Sequence, residues 1–132
     1  MSQRFDHVKL KVYQESLDFV LWFNDLLDQS PKKMAVYDQL DRASTSIPLN
    51  IAEGNGKFTE KDRCRFFDNA RGSALECAAC MDVLAARAVL AGSVIETGKG
   101  QLARIVSMLV GLIKNNSPNR MYEEPAEYSV EG

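Results

Sequence analysis

Apolar residues recur every three or four positions along four segments of the chain, which is the spacing of one face of an α-helix. Turn signals separate the segments: Ser30-Pro31, Gly54-Asn55-Gly56, Ala91-Gly92-Ser93 and the run that begins at Asn115. The predicted helices span about residues 10–28, 31–54, 59–90 and 93–114. No segment of useful length alternates apolar and polar positions as a β-strand does. The pattern predicts an all-α fold, and short loops between long helices favour an antiparallel up-down-up-down four-helix bundle.

One proline lies inside the second predicted helix. Pro48 removes a backbone hydrogen bond, and its ring presses on the preceding turn. Ser44, four residues earlier, has a side chain small enough to leave room for that ring. We therefore expect one bent helix rather than two separate helices.

The first predicted helix carries two apolar faces. One face comprises Leu10, Tyr13, Leu17, Val20, Asn24 and Leu27. The second comprises Phe19, Trp22, Phe23 and Leu26. A helix of a monomeric bundle needs only one apolar stripe, so the second face predicts contact with another subunit. The alternative is that Trp22 closes the rim of a single core.

The composition fits one globular domain with an acidic tail. The chain has 132 residues, a formal net charge of −2, and 45% hydrophobic and 26% charged residues. We predict a four-helix domain over residues 1–116 and a disordered tail over residues 117–132. The tail contains four glutamates, and Arg120 is its one basic residue. No apolar run approaches the ~18 residues of a membrane span. The N-terminus lacks the apolar stretch of a signal peptide, so we expect a cytoplasmic protein.

The three cysteines, Cys64, Cys77 and Cys80, are predicted to fill the core. Cys77 and Cys80 form a Cys-x-x-Cys pair, but no strand precedes this pair as in a redox motif. A structural zinc site needs four ligands, and His7 is the single histidine of the chain. Di-iron bundles use Glu-x-x-His motifs, which the sequence lacks. We therefore expect no metal and no cofactor.

Two runs in the middle of the chain resemble the signatures of a known bacterial family. They are QLDRASTSIPLNIAEGNG, residues 39–56, and FFDNARGSALE, residues 66–76. They are similar to the bacterial four-helix-bundle family, also called the 23S rRNA intervening-sequence proteins, over about residues 10–114. The resemblance implies a four-helix bundle that assembles as a barrel-like homopentamer. The accessory proteins of diversity-generating retroelements look similar, bind nucleic acid and a reverse transcriptase, and are strongly basic, whereas this chain has a pI of about 5.4.

Four polar residues of these two runs, Arg42, Asn50, Glu53 and Glu76, are candidate site residues. Arg42 and Glu53 are eleven residues apart, or about three helical turns, and so share a helix face. Buried charges persist when they are paired, so we interpret the four as a structural polar network. The alternative is a general acid/base pair formed by Glu53 and Glu76. No histidine or activated nucleophile accompanies this pair, and we predict no catalytic residue.

A turn at Gly54 and Gly56 joins the second and third helices and precedes the most basic stretch of the chain. The absence of a preceding strand and the glycine spacing exclude a phosphate-binding loop. The stretch holds three acidic residues and five cations: Lys57, Lys61, Arg63, Arg65 and Arg71. One interpretation is a solvated helix face with internal ion pairs. The other is a set of nucleic-acid contacts, which an oligomer would repeat.

These patterns favour a non-enzymatic homo-oligomeric scaffold or adaptor, with a pentamer implied by the resemblance. One alternative is an RNA- or DNA-binding accessory protein that acts with a nucleic-acid enzyme such as a reverse transcriptase. A remote alternative is an enzyme that uses Glu53 and Glu76. The expected partners are further copies of the chain, RNA or DNA, and another protein, with no membrane contact.

Overall fold

The structure is a computed structural model that describes residues 5–29 and 33–116. Within these two ranges it contains no strand, and a short 3-10 helix, Asp6–Lys9, precedes four α-helices. The helices are α1 (Lys11–Asp28), α2 (Ala35–Asn55), α3 (Glu60–Ala86) and α4 (Gly92–Asn116). The predicted all-α fold with four helices is therefore confirmed. The start signal Ser30-Pro31 and the predicted tail, residues 117–132, lie outside the described residues.

The four helices surround one hydrophobic core. Helix α3 packs against α2 and α4, and α1 packs against the same two helices. The largest fully buried side chains come from all four helices and include Phe19, Leu40, Ile47, Phe67, Met81 and Leu109. Small residues of α3 are fully buried too, among them Ala70, Ala74 and Cys77. Their size lets the neighbouring helices approach α3 closely.

Helix α2 runs without interruption through Pro48, so the prediction of a single helix is confirmed. Pro48 and Ser44 are both buried, and the Ser44 hydroxyl donates a hydrogen bond of 3.0 Å to the carbonyl of Asp41. The start of α3 also follows its sequence signal. The Thr59 hydroxyl accepts a hydrogen bond of 3.1 Å from the backbone N–H of Asp62 and thereby caps the helix.

The face of α1 that enters the core differs from the predicted one. The buried residues of this helix are Val12, Ser16, Phe19 and Phe23. The prediction that Phe19 and Phe23 contact another subunit is wrong, because their side chains are 0% and 2% exposed within a single subunit. Both apolar faces have helical spacing, so the pattern alone does not determine which one turns inward. The two aromatic rings bury the larger apolar surface and occupy the core.

Another side of α1 carries apolar residues that do not pack against the core. Leu21 is 62% exposed, and Leu17 and Val20 are half-buried. We call these three residues the outer face of α1. The helix thus has a second apolar face, and this face includes two residues, Leu17 and Val20, that the sequence pattern assigns to the core.

Trp22 and Leu26 are half-buried and pack against the core of their own subunit. The indole ring of Trp22 lies 5.7 Å from the ring of Phe19, measured between centroids. A Cβ atom added to Gly98 in α4 would lie 2.7 Å from Cη2 of Trp22. Gly98 therefore provides the space that the indole occupies. These contacts favour the alternative in which Trp22 closes the rim of a single core.

Helix α3 ends at Ala86, before the predicted end near residue 90, because Ala88 adopts a left-handed backbone with φ of 54°. The N–H of Val89 donates to the carbonyl of Leu84 at 3.3 Å, and the N–H of Ala88 donates to the carbonyl of Ala85 at 3.0 Å. These two bonds form a Schellman motif, in which glycine is the usual left-handed residue. Alanine in this position strains the end of the helix.

Replacing Ala88 with Gly is expected to raise the free energy of unfolding by about 1 kcal/mol. The left-handed conformation strains a residue with a Cβ by about 1–2 kcal/mol, and the greater freedom of glycine in the unfolded chain offsets part of the gain. Denaturant unfolding measures the change. The matched control, Ala86→Gly in the last turn of α3, should lower stability by up to about 1 kcal/mol. Effects of the same sign at both positions would contradict this account.

Candidate functional site

The turn between α2 and α3 depends on a close approach at Gly54. This residue is buried inside α2, and an added Cβ would lie 2.9 Å from Cβ of Phe66 and 3.0 Å from Cε1 of Phe67. Gly56 is the C-cap residue of α2, and its φ of −85° is open to any amino acid. The two glycines of the predicted turn therefore have different roles. Gly54 lets α3 approach α2, and Gly56 follows the last residue of the helix.

Arg63 holds this turn to the end of α4. Its Nε donates a hydrogen bond of 2.9 Å to Oδ1 of Asn116, and its Nη1 donates to the carbonyls of Asn55 at 3.0 Å and Lys57 at 3.3 Å. Sequence reasoning groups Arg63 with the candidate nucleic-acid contacts. The structure instead places its guanidinium in bonds within the subunit, so Arg63 is a structural residue of the turn.

Arg71, a second member of that group, is also engaged within the subunit. Its Nε lies 3.7 Å from Oδ1 of Asp68, and both side chains are only 21% exposed. The carboxylate offsets the charge of the arginine, as in the interpretation of a helix face with internal ion pairs. Arg71 therefore adds little positive charge to the surface.

The remaining three cations, Lys57, Lys61 and Arg65, lie at the turn and on the first turns of α3. Lys57 and Arg65 contact the ring of Phe66, at 5.0 Å from Nζ and 4.6 Å from Cζ to its centroid. Each also pairs with a neighbouring carboxylate at 3.8 Å, Lys57 with Glu53 and Arg65 with Asp62. Lys61 is exposed. These are surface ion pairs, which contribute little stability and leave the cations accessible.

Phe58 is the residue of this region that sequence reasoning misses. It follows Lys57 in the turn, outside both helices, and its side chain is fully exposed. A signal was present, because an aromatic residue outside the helical periodicity has no place in the predicted core. We call Phe58 with Lys57, Lys61 and Arg65 the basic turn patch. It combines an exposed aromatic ring with three accessible cations.

The predicted polar network of Arg42, Asn50, Glu53 and Glu76 does not form as one buried cluster. Arg42 and Glu76 are exposed, and Gln39 links them. Arg42 Nη2 donates to Oε1 of Gln39 at 2.8 Å, and Gln39 Nε2 donates to Oε2 of Glu76. Glu53 is exposed as well and pairs with Lys57, so the acid/base alternative finds no shared partner for the two glutamates.

Asn50 belongs to a separate contact between α2 and α3. Its Nδ2 donates to the carbonyl and to the hydroxyl of Ser46, at 2.9 Å each. The hydroxyl of Ser46 shares a hydrogen bond of 2.8 Å with the hydroxyl of Ser73 in α3. The polar residues of the two signature runs thus join the helices through small hydroxyl groups. Of the four residues of the predicted polar network, only Asn50 takes part in this contact.

A shallow depression of about 400 Å³ lies along the outer side of α2, beside Arg42 and Asn50. All its lining residues belong to this one helix: Asp41, Arg42, Thr45, Ser46, Leu49 and Asn50. A catalytic cleft brings polar groups together from several elements. The depression has groups from one helix face only, so it lacks the converging polar groups of an active site.

The cysteines lie in the core, as predicted. All three are buried free thiols, and Cys64 donates through Sγ to the carbonyl of Ile113 at 3.8 Å. Burial raises the pKa of Cys77 to about 12, with smaller contributions from Cys80 and Glu76. A reactive cysteine has a lowered pKa, so the environment of Cys77 opposes thiolate chemistry. Within residues 5–29 and 33–116, no three His, Cys, Asp or Glu side chains are grouped closely enough to hold a metal ion.

The described residues define a small four-helix protein with one hydrophobic core. Residues 8–111 match the sequence model of the 23S rRNA-intervening sequence protein family, and the chain belongs to that family. Among curated proteins, none is significantly similar to the chain. In the described part of the chain, none of the helices is long and apolar enough to cross a membrane.

The chain shares its fold with a solved structure. That structure is of a protein of unknown function from the S23 ribosomal protein family of Bacteroides thetaiotaomicron. The superposition has a TM-score of 0.74 and covers 78% of this chain and 98% of that chain, at 24% sequence identity. At this identity the similarity shows the four-helix architecture alone.

Proposed function

We propose that the protein is a non-enzymatic, cytoplasmic scaffold or adaptor that works as a homo-oligomer, with the pentamer that the family resemblance implies. The observation that carries this proposal is the outer face of α1. Leu17, Val20 and Leu21 do not pack against the core, and Leu21 is 62% exposed. A contiguous apolar face on a small protein marks a surface for another protein. In this proposal the face meets a second copy.

The proposed bundle has helices that alternate in direction, and contacts between α3 and α4 support it. Cys64, near the start of α3, bonds with Ile113, near the end of α4. Lys99, near the start of α4, pairs with Asp82, near the end of α3, at 2.6 Å. A head-to-tail contact, in which the outer face of α1 meets a different face of the next copy, generates a closed ring when the rotation between copies closes. A barrel-like pentamer is such a ring.

Light scattering of the purified protein tests the assembly. We expect the wild type to have the mass of a pentamer at micromolar concentration. Leu21→Glu should lower that mass while leaving the helix content unchanged, because it places a charge in the proposed interface. Leu49→Glu is a matched control, since Leu49 in α2 is 63% exposed and Leu21 is 62% exposed. A monomeric wild type, or equal dissociation by both variants, would remove the proposal.

The second candidate function is nucleic-acid binding in support of an enzyme such as a reverse transcriptase. The basic turn patch favours it, because an exposed aromatic ring beside cations is the arrangement that stacks on unpaired bases and contacts phosphates. In an oligomer the patch would recur once per subunit, and repeated weak contacts add up to stronger binding. The pI of about 5.4 restricts this function to a local surface.

Binding to single-stranded RNA at several salt concentrations tests the second function. Changing Lys57, Lys61 and Arg65 to Glu should abolish salt-sensitive binding, since those cations replace counterions on the phosphates. Phe58→Ala should weaken binding roughly tenfold, the scale of one lost base stack, with little change in the salt dependence. The control triple, Lys33, Arg87 and Lys99 to Glu, alters net charge equally at the other ends of the helices. Equal losses in both triples would contradict a local patch.

A further inference from the structure

An apolar groove lies between the start of α1 and the end of α4. Its volume is about 290 Å³, and its walls are Leu10, Val12, Met108, Gly111 and Leu112, with Lys11 and Asn115 completing the lining. Leu10, Met108 and Leu112 are only partly buried by the core beneath them. The groove therefore offers apolar surface to a ligand, and it is separate in its residues from the outer face of α1 and from the basic turn patch.

The described part of the chain ends at this groove. Helix α4 finishes at Asn116, directly after the lining residue Asn115. In the sequence, Pro118 lies two residues after Asn116. Met121 and Tyr122 follow three and four residues after that proline. Proline cannot continue a helix and often follows a helix end. The sequence thus places a helix-ending proline and then two large side chains just beyond the end of α4.

The distances allow these two side chains to enter the groove. An extended chain advances about 3.3–3.6 Å per residue, so Met121 and Tyr122 reach roughly 10–14 Å from Pro118. Met108, at the far end of the groove, lies eight residues before Asn116 in α4. Eight helical residues correspond to about 12 Å along the helix axis. A segment that turns back at Pro118 therefore spans the length of the groove.

The charges also match. Lys11 lines the groove, and Lys114 is exposed in the last turn of α4. The first turn of α1 contains no acidic residue, and its N-cap residue, Leu10, makes no side-chain cap. A carboxylate is favoured near such a helix start. In the sequence, Glu123 and Glu124 directly follow Tyr122, so two carboxylates accompany the two large side chains.

We propose that the groove binds the chain's own segment, residues 118–124. Met121 and Tyr122 occupy the apolar walls, and the two glutamates that follow meet Lys11 and the start of α1. The groove is then a site for a peptide that carries two large apolar side chains followed by two carboxylates. A partner with the same pattern has to displace the chain's own segment before it binds. This proposal replaces the expectation of a disordered tail for residues 118–124, and it does not depend on the oligomer or on nucleic-acid binding.

Hydrogen–deuterium exchange of the full-length protein tests the proposal. We expect the backbone amides within residues 119–125, of which Pro125 has none, to exchange more slowly than those of residues 126–132. Changing Met121 and Tyr122 together to Ser should raise the exchange rates of these amides by roughly tenfold or more. This is the scale expected from losing the burial of large apolar side chains. The matched control is Tyr128→Ser, which alters the other tyrosine beyond Asn116 and should leave residues 119–125 protected.

A charge exchange tests the orientation of the segment. Lys11→Glu should reduce the protection of residues 119–125. Adding Glu123→Lys with Glu124→Lys should restore it, because the groove and the segment then again carry opposite charges. Lys33→Glu, at the start of the segment before α2, should have no effect. Equal exchange along the whole of residues 117–132, or equal loss in the double Ser variant and the Tyr128 control, would overturn the proposal. If the protection decreases on dilution, the segment in the groove comes from a neighbouring copy of the chain. That result would overturn the own-chain assignment.

Discussion

Replacing Gly54 with Ala should lower the free energy of unfolding by about 1–2 kcal/mol. An added methyl group in a packed contact destabilises by about 1–3 kcal/mol, and the better helix propensity of alanine offsets up to about 1 kcal/mol of this. The nearest atom to the new Cβ is Cβ of Phe66 at 2.9 Å. That atom is fixed to the backbone of α3, so relief requires α3 to move away from α2.

Gly72→Ala is the control for this effect. Gly72 is also in a helix, α3, but an added Cβ there meets nothing within 4 Å. It should raise stability by up to about 1 kcal/mol. Denaturant unfolding of both variants should therefore separate their free energies of unfolding by about 1–3 kcal/mol. A stabilising Gly54→Ala substitution would show that the close approach between α2 and α3 is not required.

Trp22→Ala should lower the free energy of unfolding by about 2–3 kcal/mol, somewhat less than for a fully buried aromatic residue. The indole is half-buried and packs on Phe19 and over Gly98. Light scattering should show unchanged assembly, because these contacts lie within one subunit. The opposite outcome, weaker assembly with unchanged stability, would assign Trp22 to the interface between subunits.

A double-mutant cycle with Gly98 isolates the contact of the indole. Gly98→Ala should destabilise the wild type, because the new Cβ would lie 2.7 Å from Cη2 of Trp22. In the Trp22→Ala background the same change should be neutral or stabilising by up to about 1 kcal/mol, since the end of Met81, 2.8 Å away, is flexible. Gly100→Ala, with nothing within 4 Å, is the control and should be additive with Trp22→Ala. Additivity at Gly98 as well would contradict the contact.

The number of helices follows from periodicity and turn residues, whereas their packing depends on features that a single sequence does not display. The left-handed Ala88 ends α3 early, although nothing in the local pattern distinguishes this alanine from its helical neighbours. Gly98 looks like a weak position in a helix, yet its missing side chain accommodates Trp22. In each case the deciding interaction joins residues that are distant in sequence or depends on a backbone angle.

The candidate site was predictable in position but not in the role of each residue. Positive residues cluster after Gly56, and the structure leaves Lys57, Lys61 and Arg65 at the surface. Arg63 has the same charge and a similar sequence context, but its partners include Asn116 in a distant helix. Spacing along α2 likewise places Arg42 and Glu53 on one face. It does not show that Arg42 bonds with Gln39 and that Glu53 pairs with Lys57. The sequence shows the sign of each side-chain charge, whereas the partner of each charged group is known only from the fold.

The hydrogen bonds of Arg63 also affect how the ends of α2 and α4 unfold locally. One guanidinium joins the end of α2, the turn and the last residue of α4, across 53 positions of sequence to Asn116. Contacts of such separation form only after the intervening chain has been closed into a loop, so they appear late in folding. Once formed, they couple segments that would otherwise fray independently. The terminal turns of α2 and α4 should therefore behave as one cooperative unit in local unfolding, rather than as two loose helix ends.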